Sequence, residues 1–133
     1  MIPFLRYHDA KAAIAFLEKG FGFDTKFVAE HEGKVVHAQL TFGSGMLMLS
    51  EVHDGDQADE FAAHITTPRQ AGKPTAGVYI VVDDVDAHAA KAGDAGADIF
   101  YPPQDQDYGG RAYSCLDPEG NMFSFGSYDP WKT

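Results

Sequence analysis

Cysteine is nearly absent: Cys115 is the single thiol in 133 residues. An intramolecular disulfide is impossible, so the fold must rest on its core, as suits a reducing cytosol. Long apolar runs are missing too, and none approaches the roughly 20 residues of a membrane span. The start, Met1-Ile2-Pro3-Phe4, lacks the charged region, apolar stretch and cleavage site of an export signal. A cytoplasmic protein is therefore expected. Positive charge is scarce, with 10 Lys and Arg against 20 Asp and Glu, a net charge of −10. A phosphate backbone or an anionic membrane would repel such a chain, so neither a nucleic-acid nor a membrane partner is expected. The same surface would attract a cationic ligand. The six histidines form no HxH, HxxxH or HExxH pattern. What remains is a globular composition, 44% apolar and 13% aromatic, which excludes disorder. The length suits one compact domain.

Turn and cap residues divide the chain. Residues 2–7 read as a strand. Asp9 offers a helix N-cap, and Ala10, Ala13, Ile14, Leu17 and Phe21 share one helical face. Gly20 and Gly22 supply the stop. Extended runs follow at 24–31, 34–42 and 46–52, separated by Glu32-Gly33 and Gly43-Ser44-Gly45. Residues 53–75 break the pattern and read as a connector, with one helical turn at 58–63. Then the order returns: a strand at 77–82, a helix capped by Asp84 and closed by Gly96, and strands at about 97–101, 111–116 and 121–127. Asp117-Pro118-Glu119-Gly120 reads as a tight turn. The interval from Asp9 to Asp84 equals that from Gly45 to Gly120. The chain thus reads as two βαβββ modules, residues 1–52 and 76–133, joined by the connector in one compact domain.

Alternation assigns faces. In the first module Ala38, Leu40, Phe42, Leu47 and Leu49 would face the helix. His37, Gln39, Thr41, Met46, Met48 and Ser50 would face away and line a pocket. In the second, Ala112, Ser114, Leu116, Phe123 and Phe125 are expected on one face. Arg111, Tyr113, Cys115, Met122 and Ser124 are expected on the other, joined by Tyr79.

The stretches HDAKAAIAFLEKGFGF, VDDVDAHAAKAGDAGADI and YGGRAYSCLDPEGNMFSFGSYDPW resemble the glyoxalase/bleomycin-resistance/extradiol-dioxygenase superfamily, also called vicinal oxygen chelate. The resemblance covers nearly the whole chain apart from the connector, and DPEGN with its following strand is its strongest part. It implies an α+β fold: two βαβββ modules forming a U-shaped mixed sheet around a cavity, with helices outside, commonly as a homodimer. The metal enzymes of that family hold their ion with His, Glu or Gln on four strand positions. Transferred here, those positions are Ile2, Met48, Gly77 and Ser124. Isoleucine and glycine offer no ligand atom, and methionine and serine are poor ligands for a hard or borderline ion.

The expected function is therefore binding of a small organic ligand in a metal-free cleft, with no cofactor, and sequestration of that ligand. The expected binding residues are Gln39, Met48, Tyr79, Arg111, Tyr113 and Ser124, with His37 and Tyr108 near the mouth. The tyrosines would stack on a planar body, and Gln39, Ser124 and Arg111 would fix its polar edge. Arg111 is equally open to a salt bridge with an acidic neighbour. The alternative is a metal-dependent lyase, isomerase or dioxygenase of the same superfamily, using a displaced site through His37 and Glu51. The acidic group Glu51, Asp54, Asp56, Asp59 and Glu60 lacks the glycine and terminal glutamate spacing of a calcium loop.

Overall fold

The structure is a computed structural model that describes residues 1–52 and 60–132, with only the backbone of Phe61. Its strands form two four-stranded mixed sheets. The first module runs β1 (Phe4–Tyr7), α1 (Ala10–Phe16), β2 (Asp24–His31), β3 (Lys34–Phe42) and β4 (Gly45–Glu51). Its sheet has the order β1-β4-β3-β2. A 3₁₀ turn at Glu60–Ala63 and α2 (Pro68–Ala71) follow. Helix α2 was not expected from the sequence; Thr67 caps it by accepting from Gln70 N. The second module runs β5 (Gly77–Val81), α3 (Val85–Ala95), β6 (Asp98–Asp105), β7 (Arg111–Leu116) and β8 (Met122–Gly126), in the order β5-β8-β7-β6. Strand β6 continues past its expected end to Asp105, through an irregular stretch of pairing between Tyr101 and Gln104. In each sheet the first strand pairs in parallel with the last, and the other pairings are antiparallel. Residues 53–59, with Asp54, Asp56 and Asp59 of the acidic group, lie outside the described residues.

Capping starts both main helices. The carboxylates of Asp9 and Asp84 accept from Ala12 N and Ala87 N, each at 3.0 Å. Helix α1 widens into a π-helical turn at Leu17–Phe21 and stops at Gly22, whose φ of 88° only glycine adopts freely. That turn delivers Phe21 between the modules. It is fully buried, with ring centroids 4.9 Å from Phe123 and 4.8 Å from Phe125 of β8. One core therefore serves both sheets: Leu40, Leu47 and Leu49 from the first, Tyr113, Cys115, Phe123 and Phe125 from the second.

The faces of the first sheet follow the alternation. Ala38, Leu40, Leu47 and Leu49 are buried toward the helix, while His37, Gln39, Met46, Met48 and Ser50 are only half-buried on the open face. The second sheet corrects the expectation for β7. Tyr113 and Cys115 are fully buried, and Tyr113 pairs with Phe125 and Cys115 with Phe123. Ser114 pairs with Ser124, and Leu116 with Met122. Arg111, Tyr113 and Cys115 thus lie on the helix face; Ala112, Ser114 and Leu116 lie on the open one. The cause is turn length. Thr41 pairs with Met46 across four residues, but Leu116 pairs with Met122 across five. One extra residue reverses the parity of the second strand against the first, because side chains alternate with period two.

The second turn is tightly held. Asp117 Oδ1 accepts from Glu119 N at 3.0 Å and Asn121 N at 2.9 Å. Its Oδ2 accepts from the buried hydroxyl of Tyr7 at 2.6 Å. The Glu119 carboxylate accepts from His8 N at 2.6 Å and Asp9 N at 2.9 Å. Turn and helix start are thereby stapled across the modules.

Candidate functional site

Side chains of the open faces define the candidate site. On the first sheet, Phe4 pairs with Met48 and Arg6 with Ser50, while Gln39 pairs with Met48 on the other side. Since Leu5 and Tyr7 turn into the core, Phe4 and Arg6 must point outward. Gln39 Nε2 donates to His37 Nε2 at 3.1 Å, and Phe27 lies beside them with its ring centroid 6.3 Å from that of His37. On the second sheet, Tyr79 pairs with Ser124, whose hydroxyl is 2.6 Å from that of Ser114. The Tyr79 hydroxyl donates to Tyr128 O at 2.7 Å, and Tyr108 stands edge-on to the Tyr128 ring at 5.1 Å. Burial, then the nearby Tyr108 and Asp129, push the Tyr79 phenol above its ordinary range.

Glycine makes room for this arrangement. A Cβ at Gly126 would meet the Tyr79 hydroxyl at 2.5 Å and Arg111 O at 3.1 Å. Any side chain there would displace Tyr79. Two cavities follow the seam between the modules. One, of about 260 Å³, is lined by Phe4 from the first sheet and by Gly77 and Met122 from the second. The other, of about 430 Å³, is lined by Met46 and the β3–β4 turn on one side, Tyr79 and Val81 on the other, and Trp131.

The expected site residues thus fall into three groups. His37, Gln39 and Met48 come together on the first open face. Tyr79 and Ser124 come together on the second, with Tyr108 exposed at its margin. Arg111 and Tyr113 are separated from both by the sheet itself. The Arg111 guanidinium is held by Asp86 through two bonds of 3.0 Å, by Asp105 at 3.1 Å and by Pro103 O at 3.2 Å. Of the two readings open to Arg111 in the sequence, the salt bridge is the one observed. The Tyr113 hydroxyl is 2.6 Å from His88 Nδ1, and His88 Nε2 donates to Phe21 O at 2.8 Å. Burial lowers the His88 pKa, against a raising contribution from its Phe21 bond. Cys115 is fully buried, and burial pushes its thiol up to about 12, so it offers no nucleophile.

Sequence reasoning passed over Phe4, Arg6, Phe27 and Ser114. The first two were legible from the alternation of Phe4-Leu5-Arg6-Tyr7. Phe27 was obscured by irregular pairing of β2 with β3 between Thr25 and Phe27, and Ser114 by the turn length.

The open faces do not fit a divalent ion of the kind the metal enzymes hold. Met48, Gly77 and Ser124 all lie at outward positions, but they offer a thioether, no ligand and a hydroxyl; Ile2 precedes β1. No group of three His, Cys, Asp or Glu gathers among the described residues. The displaced pair of His37 and Glu51 does not assemble either. Glu51 lies 7% exposed on the helix face, where Oε1 accepts from Ala10 N at 3.0 Å and Oε2 lies 3.4 Å from Lys34 Nζ.

Comparison with known proteins agrees with the paired modules. Residues 3–125 match the family model for the Glyoxalase/Bleomycin resistance protein/Dioxygenase superfamily, and the chain belongs to that superfamily. An uncharacterized protein of Mycobacterium bovis is 31% identical over 125 residues, spanning 93% of this chain and 80% of its relative. Among solved structures, TioX from Micromonospora sp. ML1 is 31% identical with a TM-score of 0.72, over 95% of this chain and 93% of its own. The fosfomycin resistance protein FosX from Mesorhizobium loti shares the fold at 15% identity and a TM-score of 0.64, over 98% of this chain and 92% of its own.

Proposed function

We propose that this protein holds a small organic molecule against the open faces of its two sheets without a metal, and thereby sequesters it in the cytoplasm. One observation carries the reading: the open positions flanking the seam bear thioethers, aromatic rings and hydroxyls, and the four positions where the family's metal enzymes would carry ion ligands hold Ile2, Met48, Gly77 and Ser124. Met46, Met48 and Met122 are adaptable apolar contacts, and Phe4 and Tyr79 offer ring faces. Gln39 and the Ser114–Ser124 pair supply a few oriented polar groups, the usual composition of a ligand cleft.

The same reading extends to assembly as a homodimer. Phe4 at 54%, Phe27 at 51% and Trp131 at 94% exposure leave apolar surface that a second copy would cover. Light scattering on the purified protein measures this directly, and a monomer at tens of micromolar overturns it.

The binding reading is tested by thermal denaturation against a library of small aromatic and heterocyclic compounds, with metal analysis of protein purified without chelator. A ligand at 100 times its dissociation constant should add about 2.7 kcal/mol of stability. Stoichiometric zinc, nickel, manganese or iron with turnover of a hemithioacetal or catechol would overturn the metal-free reading.

A further inference from the structure

The chain has three arginines, and their surroundings differ sharply. Arg69 is exposed to solvent. Arg111 commits its guanidinium to Asp86, Asp105 and a carbonyl. Arg6, on the open face of the first sheet, is half-buried, and its guanidinium has no hydrogen bond or ion pair with any described residue. In a chain with 20 carboxylates and 10 basic residues, a partly buried guanidinium with no carboxylate on it among the described residues is unexpected. Partial removal from water without a partner costs free energy, and the cost is recovered only when an anion arrives. The adjoining positions, Ser50 across β4 and Phe4 two residues back, hold no competing carboxylate.

Building on the proposed binding cleft, we infer that Arg6 is its anion anchor and that the ligand is an organic acid: an apolar body carrying a carboxylate. The planar fork of arginine matches the two oxygens of a carboxylate through parallel N–H···O bonds. Phe4 and Met48 then lie beside the ligand's apolar body, and the His37–Gln39 pair lies one strand further across the sheet. This reverses the expectation from overall charge. Composition favours a cationic ligand, whereas the charge carried by β1 on that open face is positive. The acidic surface would slow the approach of such an anion, so added salt should accelerate association rather than retard it.

The experiment uses aryl and alkyl carboxylates, each paired with its neutral primary amide, with affinities measured by calorimetry on the intact protein. The wild type should bind the acids at least tenfold more tightly than the amides. Arg6→Gln should abolish that preference by weakening the acids far more than the amides, at least tenfold against the wild type, while Arg6→Lys should restore part of it. Equal affinity of acid and amide in the wild type overturns the anchor but leaves the cleft standing. An acid preference that survives Arg6→Gln places the anchor elsewhere and overturns the assignment. Absence of binding by every acid and every amide overturns the cleft and the anchor together. The acid–amide comparison in the wild type needs no variant to fold.

Discussion

The two hairpins that close the modules are built to one plan and held in different ways. The first, Gly43-Ser44, is open: a Cβ at Gly43 would meet nothing within 4 Å. The second is longer by one residue and is gripped by Asp117, Tyr7 and Glu119. The extra residue also changes the repeat. Leu40 of β3 corresponds to Cys115 of β7 at the interval that separates the two helix caps, but Leu47 of β4 corresponds to Phe123 of β8, one position beyond that interval. A single residue in a turn thus decides which half of a strand's side chains reaches the core. In the second module it chose Tyr113 over Ser114.

The largest expected effect tests that choice. Tyr113 is fully buried, and Tyr113→Ala should cost about 3–5 kcal/mol, like other aromatic truncations in a core. Ser114→Ala, on the opposite face, should stay within about 1 kcal/mol. Urea denaturation of both variants checks it, and equal losses would mean that β7 is turned the other way.

A smaller effect separates the turns themselves. Asp117→Ala strands the Tyr7 hydroxyl and two backbone N–H groups, at about 2–4 kcal/mol. The loss is moderated because burial already raises the Asp117 pKa and makes its charge costly at neutral pH. Ser44→Ala in the open turn should fall within about 0.5 kcal/mol. A similar loss in both would show that the clamp contributes nothing.

The smallest effect concerns pH. The helix of the second module presents His88 to Tyr113, where the equivalent position of the first module holds buried Ala13. Burial lowers the folded pKa of His88 below 6.5, so as pH falls the unfolded chain takes the proton first. Stability present above pH 6.5 is lost as the pH drops through the folded value. Asp117 acts with opposite sign: burial raises its pKa, so the folded state takes up that proton first as pH falls. Between about pH 7 and 5 the urea midpoint of the wild type should fall, and His88→Gln should flatten that fall. An unchanged slope would remove His88 as its source.

Strands and helices were legible because caps and turn residues mark them: β2 and β3 begin and end where alternation and Glu32-Gly33 place them. The open face of the first sheet was legible as well, since His37, Gln39 and Met48 alternate cleanly with Ala38, Leu40, Leu47 and Leu49. The second was not. Asp117-Pro118-Glu119-Gly120 looks like a complete turn, and nothing in the string tells that Asn121 belongs to it too. Ala112 and Leu116 are apolar enough to pass for core, and Tyr113 is polar enough to pass for a cleft residue. Arg6 went unnoticed for another reason: a strand's sequence does not reveal whether a charge will find a partner. Arg111, which found three, looked more functional than Arg6, which found none among the described residues.

The Glu119 carboxylate sits on the amide nitrogens of His8 and Asp9, just ahead of α1, while Asp117 beside it holds Tyr7. Opening the C-terminal half would therefore free the His8–Asp9 backbone that leads into α1 and strip the Tyr7 hydroxyl of its acceptor at once. The duplicated halves have given up autonomy, and the chain should melt in a single concerted step, with neither fragment persisting alone.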